Sequence, residues 1–343
     1  MVALDLLPSI CTSSEGLDFL ASQKHIHWLA EACTASSDSV EEVIRGQCLS
    51  AVANVLLQVE RARHPFKSSE TYTNDVLPAF FRGIEIALDH SDEINRSLGL
   101  SAIGMFATAS PSAFRAVLSC DALIERWLEF LRGQPSLQGA TLHCLAKVLL
   151  FPSEPVEDQP LIRHQQEAIK GGSHQASGQE ADQTPLKHVP PAMLQMLQEE
   201  GDQLAQVEDL CNRKKDLFDR IGAAVGGSRG ISSMEHMMKL VKQPISEVKL
   251  AALDVLRSLA YQETPWGLHK LIGHAGFYSY LVDRTTEYTK EGKIWKFSLI
   301  TAISRSPHAS LLSSDVSTHI DLMLHQGPFF MPPLLEEPMT EEL

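Results

Sequence analysis

Aromatic side chains are scarce in this sequence, only 6% of 343 residues, while apolar residues as a whole reach 44%. Leu, Ala, Ile and Val carry most of that apolar content, a mixture suited to helices that pack closely along their length. Long hydrophobic runs are missing, and nothing approaches the roughly 20 apolar residues needed to span a bilayer. A basic leader is missing too. Met1-Val2-Ala3-Leu4-Asp5-Leu6-Leu7-Pro8 has no positive region, and Asp5 and Pro8 interrupt it, so it does not read as a secretory signal. The simplest reading is a cytoplasmic chain, with the nucleus as a second compartment. Cysteine pairing is absent: six cysteines are scattered without a CxxC, which excludes a disulfide or zinc framework and leaves reduced core thiols. Positive charge is in deficit, with Lys+Arg 29 against Asp+Glu 43 and a net charge of −14. An anionic surface repels phosphate backbones and acidic lipid, so neither nucleic acid nor membrane is the expected partner.

Catalytic signatures are missing as well. There is no HExxH, GxSxG, Walker A or Rossmann glycine pattern, and the glycine-rich stretch Ala224–Gly230 lacks a preceding strand and a closing Lys-Ser/Thr. His25 and His27 are two apart and point to different helix faces. His269 and His274 flank a glycine between amphipathic segments. No cofactor, metal or small-molecule substrate is expected, and the chain reads as a non-enzyme.

What is present is a repeat. Triplets of apolar anchors recur at helical spacing: Leu49, Val52, Val55; Leu100, Ile103, Phe106; Leu142, Leu145, Val148; Leu253, Leu256, Leu259; and, more degenerate, Phe297, Ile300, Ile303. First anchors are separated by 51, 42, 111 and 44 residues. The period of HEAT and armadillo repeats is roughly 40–47. The 111 equals two periods plus a surplus, which predicts one hidden repeat and an insertion. Ser110-Pro111 and Thr264-Pro265 precede matching apolar sets, Phe114, Val117, Leu118, Leu123, Leu128 and Leu268, Leu271, Ile272, Phe277, Val282. Proline after Ser or Thr suits a helix start, where no backbone donor is lost. The unit is therefore a short helix, a second helix and a longer third helix carrying the triplet.

The expected fold is all-α, an armadillo/HEAT-like solenoid wound as a right-handed superhelix. Residues 1–151 form the N-terminal repeats, the first incomplete, since one period before Leu49 and Val52 falls near Leu7 and Ile10. Residues 152–190, rich in Gln, Gly, Ser and Pro, form a disordered insertion. Residues 191–333 form the C-terminal repeats, with Pro191–Ile221 as an amphipathic helix and Gly222–Ser233 as the loop after it. Residues 334–343 are an acidic tail.

In such a solenoid the third helices line a concave face. Residues flanking the buried stripe are the binding candidates: Ser50, Asn54, Ser101, Met105, His143, Lys147, Asp254, Arg257 and Ser258. Asp283 and Arg284, after the apolar run Tyr280-Leu281-Val282, are either an ion pair bracing two helices or a further partner contact.

The C-terminal third carries a resemblance. Glu247–Ala260, Pro265-Trp266, Gly276-Phe277 with Tyr280 and Val282-Asp283-Arg284, and Gly327-Pro328-Phe329-Phe330 before Pro332 resemble the proteasome non-ATPase regulatory subunit 5 family. The similarity runs from about Ser228 to Pro333 and, more thinly, from about Met1 to Pro152. It implies a chaperone of the proteasome's 19S base that holds the C-terminal domain of one ATPase subunit and restrains premature docking on the 20S core. The family's N-terminal repeats are absent from this sequence, and the insertion around Gly171 is longer than the family's connection. The runner-up is a generic armadillo-repeat scaffold or adaptor. An importin-like carrier does not fit, since Asn54 has no tryptophan three or four residues before it.

Overall fold

The computed structural model describes residues 2–34, 39–152, 203–226 and 230–330, and every regular element among them is helical. The helices are α1 (Val2–Ile10), α2 (Ser14–Ser22), α3 (His25–Ala32), α4 (Ser39–Arg61), α5 (Leu77–Asp89), α6 (Glu93–Ala107), α7 (Pro111–Leu118), α8 (Asp121–Glu129), α9 (Pro135–Leu150), α10 (Gln203–Gly226), α11 (Ser233–Leu240), α12 (Ser246–Ala260), α13 (Trp266–Ile272), α14 (Ala275–Val282), α15 (Lys290–Ser304) and α16 (Ser314–Gln326). None of the described helices is long and apolar enough to cross a membrane.

Short, short, long is the rhythm in α2–α3–α4, α7–α8–α9 and α13–α14–α15. Capping residues fix where several of these helices start. Ser110 Oγ accepts from Ala113 N ahead of α7, Ser232 Oγ accepts from Glu235 N ahead of α11, and Thr289 Oγ1 accepts from Gly292 N ahead of α15. Thr264-Pro265 behaves differently from its counterpart: Pro265 itself is the cap residue of α13, and no side chain caps that helix.

The long helices α4, α6, α9, α12 and α15 stack side by side, with α1 against α4 at one end and α16 against α15 at the other. Their contacts run early to early and late to late. A Cβ built on Gly46 meets Asn95 and Leu98, one on Gly104 meets Cys144, and one on Gly139 meets Glu247. Gln262 Nε2 donates to Leu149 O near the far ends of α12 and α9. The row is therefore parallel, which three-helix repeats enforce by returning each third helix to the same starting edge.

Anchor burial follows the sequence closely. Leu49, Val52 and Val55, Leu100, Ile103 and Phe106, Leu142, Leu145 and Val148, and Leu253, Leu256 and Leu259 are all buried. Each such side chain contributes about 1.5–3 kcal/mol relative to exposure. Phe297 departs from the pattern, being only partly buried, with Leu299 taking the core position beside Ile300 and Ile303. In α1, Leu7 is buried and Ile10 is exposed.

Among the described residues the hidden repeat has no third helix of its own. α9 lies directly against α12, so no further third helix fits between Leu142 and Leu253. The amphipathic pattern before α11 belongs instead to α10, an elongated first helix of the same repeat as α12. Its core side chains are Leu210, Leu217, Phe218 and Ile221, and it continues to Gly226, past the helix end expected at Ile221. The insertion at 152–190, apart from Pro152, and the acidic tail at 334–343 lie outside the described residues, as do 191–202. Five of the six cysteines are buried, and burial raises the thiols of Cys11 and Cys211 to about 11.

Candidate partner-binding face

The outward side of the third-helix row is where the structure gathers most of the predicted contacts. On α4, Ser50 and Asn54 are half-buried, and Asn54 Nδ2 donates to Ser50 O at 2.9 Å, a bond that occupies the amide within its own helix. Ser101 is exposed on α6 and Met105 beside it is half-buried. On α9, Lys147 is exposed and the His143 side chain is 42% exposed.

The most organised part of the face spans α9, α12 and α15. Arg257 donates through Nε and NH2 to Asp254 Oδ1, at 3.1 and 2.8 Å. His143 Nδ1 lies 3.6 Å from the other Asp254 oxygen. The Arg257 guanidinium sits over the Trp295 ring, 5.6 Å from its centroid. Burial would raise the Asp254 carboxyl, but the His143 ring and the Arg257 charge outweigh it and hold the carboxyl below its ordinary range. Asp254 thus stays ionised and positions Arg257, while Trp295 supplies a flat support. No local pattern marks Trp295 for this role, because it lies 38 residues beyond Arg257 and only the stacking of α15 on α12 joins them.

Three candidates are placed elsewhere. Ser258 is fully buried, its hydroxyl donating to Val255 O at 2.7 Å, so it presents nothing to a partner. Five residues after the first anchor is an accessible position on α4 and α9, but on α12, packed between α9 and α15, it is covered. Asp283 and Arg284 form no ion pair with each other. Asp283 Oδ1 accepts from Thr285 N and Thr285 Oγ1 in the loop after α14. Arg284 does brace two helices, donating to Gly327 O and Gln326 Oε1 at the end of α16 and lying 5.2 Å from the Phe330 ring centroid. Its partner is a helix terminus rather than the adjacent aspartate.

A cavity of about 270 Å³ lies between α8 and α10, lined by Leu118, Ile124 and Leu217 together with Arg213 and Arg220. Both arginines are committed, Arg213 to Asp209 at 3.0 Å and Arg220 to Asp121 at 2.8 Å. The cavity is a repeat junction closed by ion pairs. Among the described residues no group of His, Cys, Asp and Glu is arranged to hold a metal ion.

Comparison with known proteins adds to this geometry. A family model described as "Proteasome non-ATPase 26S subunit" matches residues 192–338, which include α10 to α16. The chain is similar to the 26S proteasome non-ATPase regulatory subunit 5 of Homo sapiens, 32% identical over 107 residues, 31% of this chain and 19% of that protein. The Bos taurus protein of the same name is 28% identical over 102 residues, 29% of this chain and 20% of that protein. The matched stretch therefore spans about a fifth of the length of these relatives. Among solved structures, a designed armadillo repeat protein aligns with a TM-score of 0.47 at 12% identity, covering 88% of this chain and 92% of that one. A second designed armadillo repeat protein aligns with a TM-score of 0.45 at 10% identity, with 88% and 92% covered.

Proposed function

We propose that this chain, whose residues 192–338 match the model of the proteasome non-ATPase 26S subunit family, is an assembly chaperone of the proteasome's 19S base. It binds the C-terminal domain of a proteasomal ATPase subunit through the outward side of its third-helix row, and occupancy of that domain restrains premature docking on the 20S core. The family match carries this reading. The Asp254–Arg257–Trp295 arrangement within the matched region supports it, because it fixes a cation at an outward position instead of leaving it mobile.

The test is titration of the full chain against the isolated C-terminal domain of each base ATPase. One domain is expected to bind, and Lys147→Glu combined with Arg257→Glu is expected to weaken it at least about tenfold while the helical circular dichroism is retained. Asp254 is not a clean probe, since it is buried and reversing it would set a second cation against Arg257. Failure of every base ATPase domain to bind the folded chain rejects the reading.

A further inference from the structure

Charge along the third helices is polarised. Acidic residues occupy first turns, Glu93 on α6, Glu247 on α12 and Glu291 on α15. Basic residues occupy last turns, Arg61 on α4, Lys147 on α9 and Arg257 on α12. Helix dipoles favour this order on any single helix. A dipole, however, is satisfied by a cation anywhere around the last turn. Here Arg61, seven residues from Asn54, and Lys147, four from His143, keep the outward azimuth, while Arg257 flanks it with its side chain 13% exposed.

Because the row is parallel, these last turns fall on one edge, and a molecule with a net charge of −14 presents a cationic line there. The acids beside these cations on their own helices are sequestered. Glu60, also in the last turn of α4, is only 4% exposed and is engaged by Tyr72, Lys67, Ser110 and Ser112. Asp254 is buried under Arg257 and His143. Arg61 and Lys147 are exposed.

We propose that this edge docks an acidic α-helix of a partner protein, laid across the third helices with carboxylates at seven-residue intervals. Neighbouring packed helices lie about 8–10 Å apart, and seven residues of a crossing helix advance about 10 Å. Arg257 and Lys147 are one such step apart, α12 to α9. Lys147 and Arg61 are two steps apart, with Thr108 near the end of the intervening α6. A carboxylate at one position therefore meets Arg257, one seven residues on meets Lys147, and one fourteen further on meets Arg61. This deepens the partner-binding reading above, on which it rests, and supplies the chemistry that reading lacks. The chain's overall acidity, taken alone, would have called for a basic partner.

A fluorescent, stapled helical peptide of about 24 residues with Glu at those three positions, and a counterpart with Lys instead, provide the probe. The acidic peptide is expected to bind the full chain, to form a zero-length carbodiimide cross-link at Lys147, and to weaken at least about threefold between low and physiological salt. Lys147→Glu with Arg61→Glu is expected to weaken it at least about tenfold and to create binding of the Lys peptide. Lys242→Glu, at an exposed lysine beyond the opposite end of α12, is expected to leave it unchanged. Equal binding of the acidic peptide to wild type and to the double variant overturns the proposal, as does no binding to wild type. An ATPase C-terminal domain that binds both forms equally also overturns it and leaves the chaperone reading standing. A Lys147-dependent peptide with no ATPase domain bound supports the docking edge and removes the chaperone reading.

Discussion

Glu60 shows how much a single buried carboxylate organises. It accepts from Tyr72 Oη at 2.6 Å, from Lys67 Nζ at 2.6 Å and from the hydroxyls of Ser110 and Ser112, which tie the end of α4 to the start of α7. Burial would raise its carboxyl, but these donors together hold it below its ordinary range. Lys214, 1% exposed on the apolar face of α10, is held in the same manner by Glu263 at 2.8 Å. His236 on α11 has no such partner. Its Nε2 is buried without a hydrogen bond, and burial, with Lys239 adding to it, lowers the ring to about 4. Native His236 therefore stays neutral where the unfolded ring, near 6.5, takes up a proton. Its contribution is present above about pH 6.5 and is lost as pH falls towards 4. Replacing it with leucine should remove up to about 2 kcal/mol of the stability lost between about pH 7 and about pH 5. Urea unfolding of both proteins at the two pH values checks this, and parallel losses would refute it.

At the scale of elements, close approach decides more than propensity does. A Cβ on Gly267 would lie 2.1 Å from Leu259 O, so α13 seats its first turn directly on the end of α12. Backbone cannot yield as a flexible side chain can. Gly267→Ala should cost at least about 2 kcal/mol, whereas alanine in a relaxed helix normally gains about 1. Thermal unfolding reads the sign, and a stabilised Gly267→Ala protein would refute the contact. The anchor triplets were legible because helical spacing of apolar residues is local. The site of Gly267 was not, since nothing in Pro265-Trp266-Gly267 records which carbonyl lies opposite. The same limit hid Trp295 beneath Arg257 and Ser110 beside Glu60.

Over the whole molecule, the direct stacking of α9 on α12 joins residues before and after the 153–202 stretch into one row. We propose that cleavage within that stretch leaves a working particle. Its composition at 152–190 makes Gly171-Gly172 the expected first cut in limited proteolysis. The two fragments should then co-elute on gel filtration, because separating them exposes Leu142, Leu145, Leu149, Leu253 and Leu256. Fragments that part without denaturant would show that the α9–α12 contact is weaker than its burial implies.

The sequence alone determined that the protein is helical and repeating, where its anchors lie, and which family its C-terminal part resembles. Each of those rests on periodicity or on local motif, which one chain carries within a few turns. Tertiary structure decided that the helices carrying Leu142 and Leu253 are direct neighbours in the row, that Ser258 is covered while Lys147 is open, and that Arg284 reaches Gln326 and Gly327 instead of Asp283. It also decided that scattered last-turn cations form one edge. These depend on which helix lies against which, and neighbours in a stack are chosen by packing between segments that lie roughly a whole repeat apart in the chain.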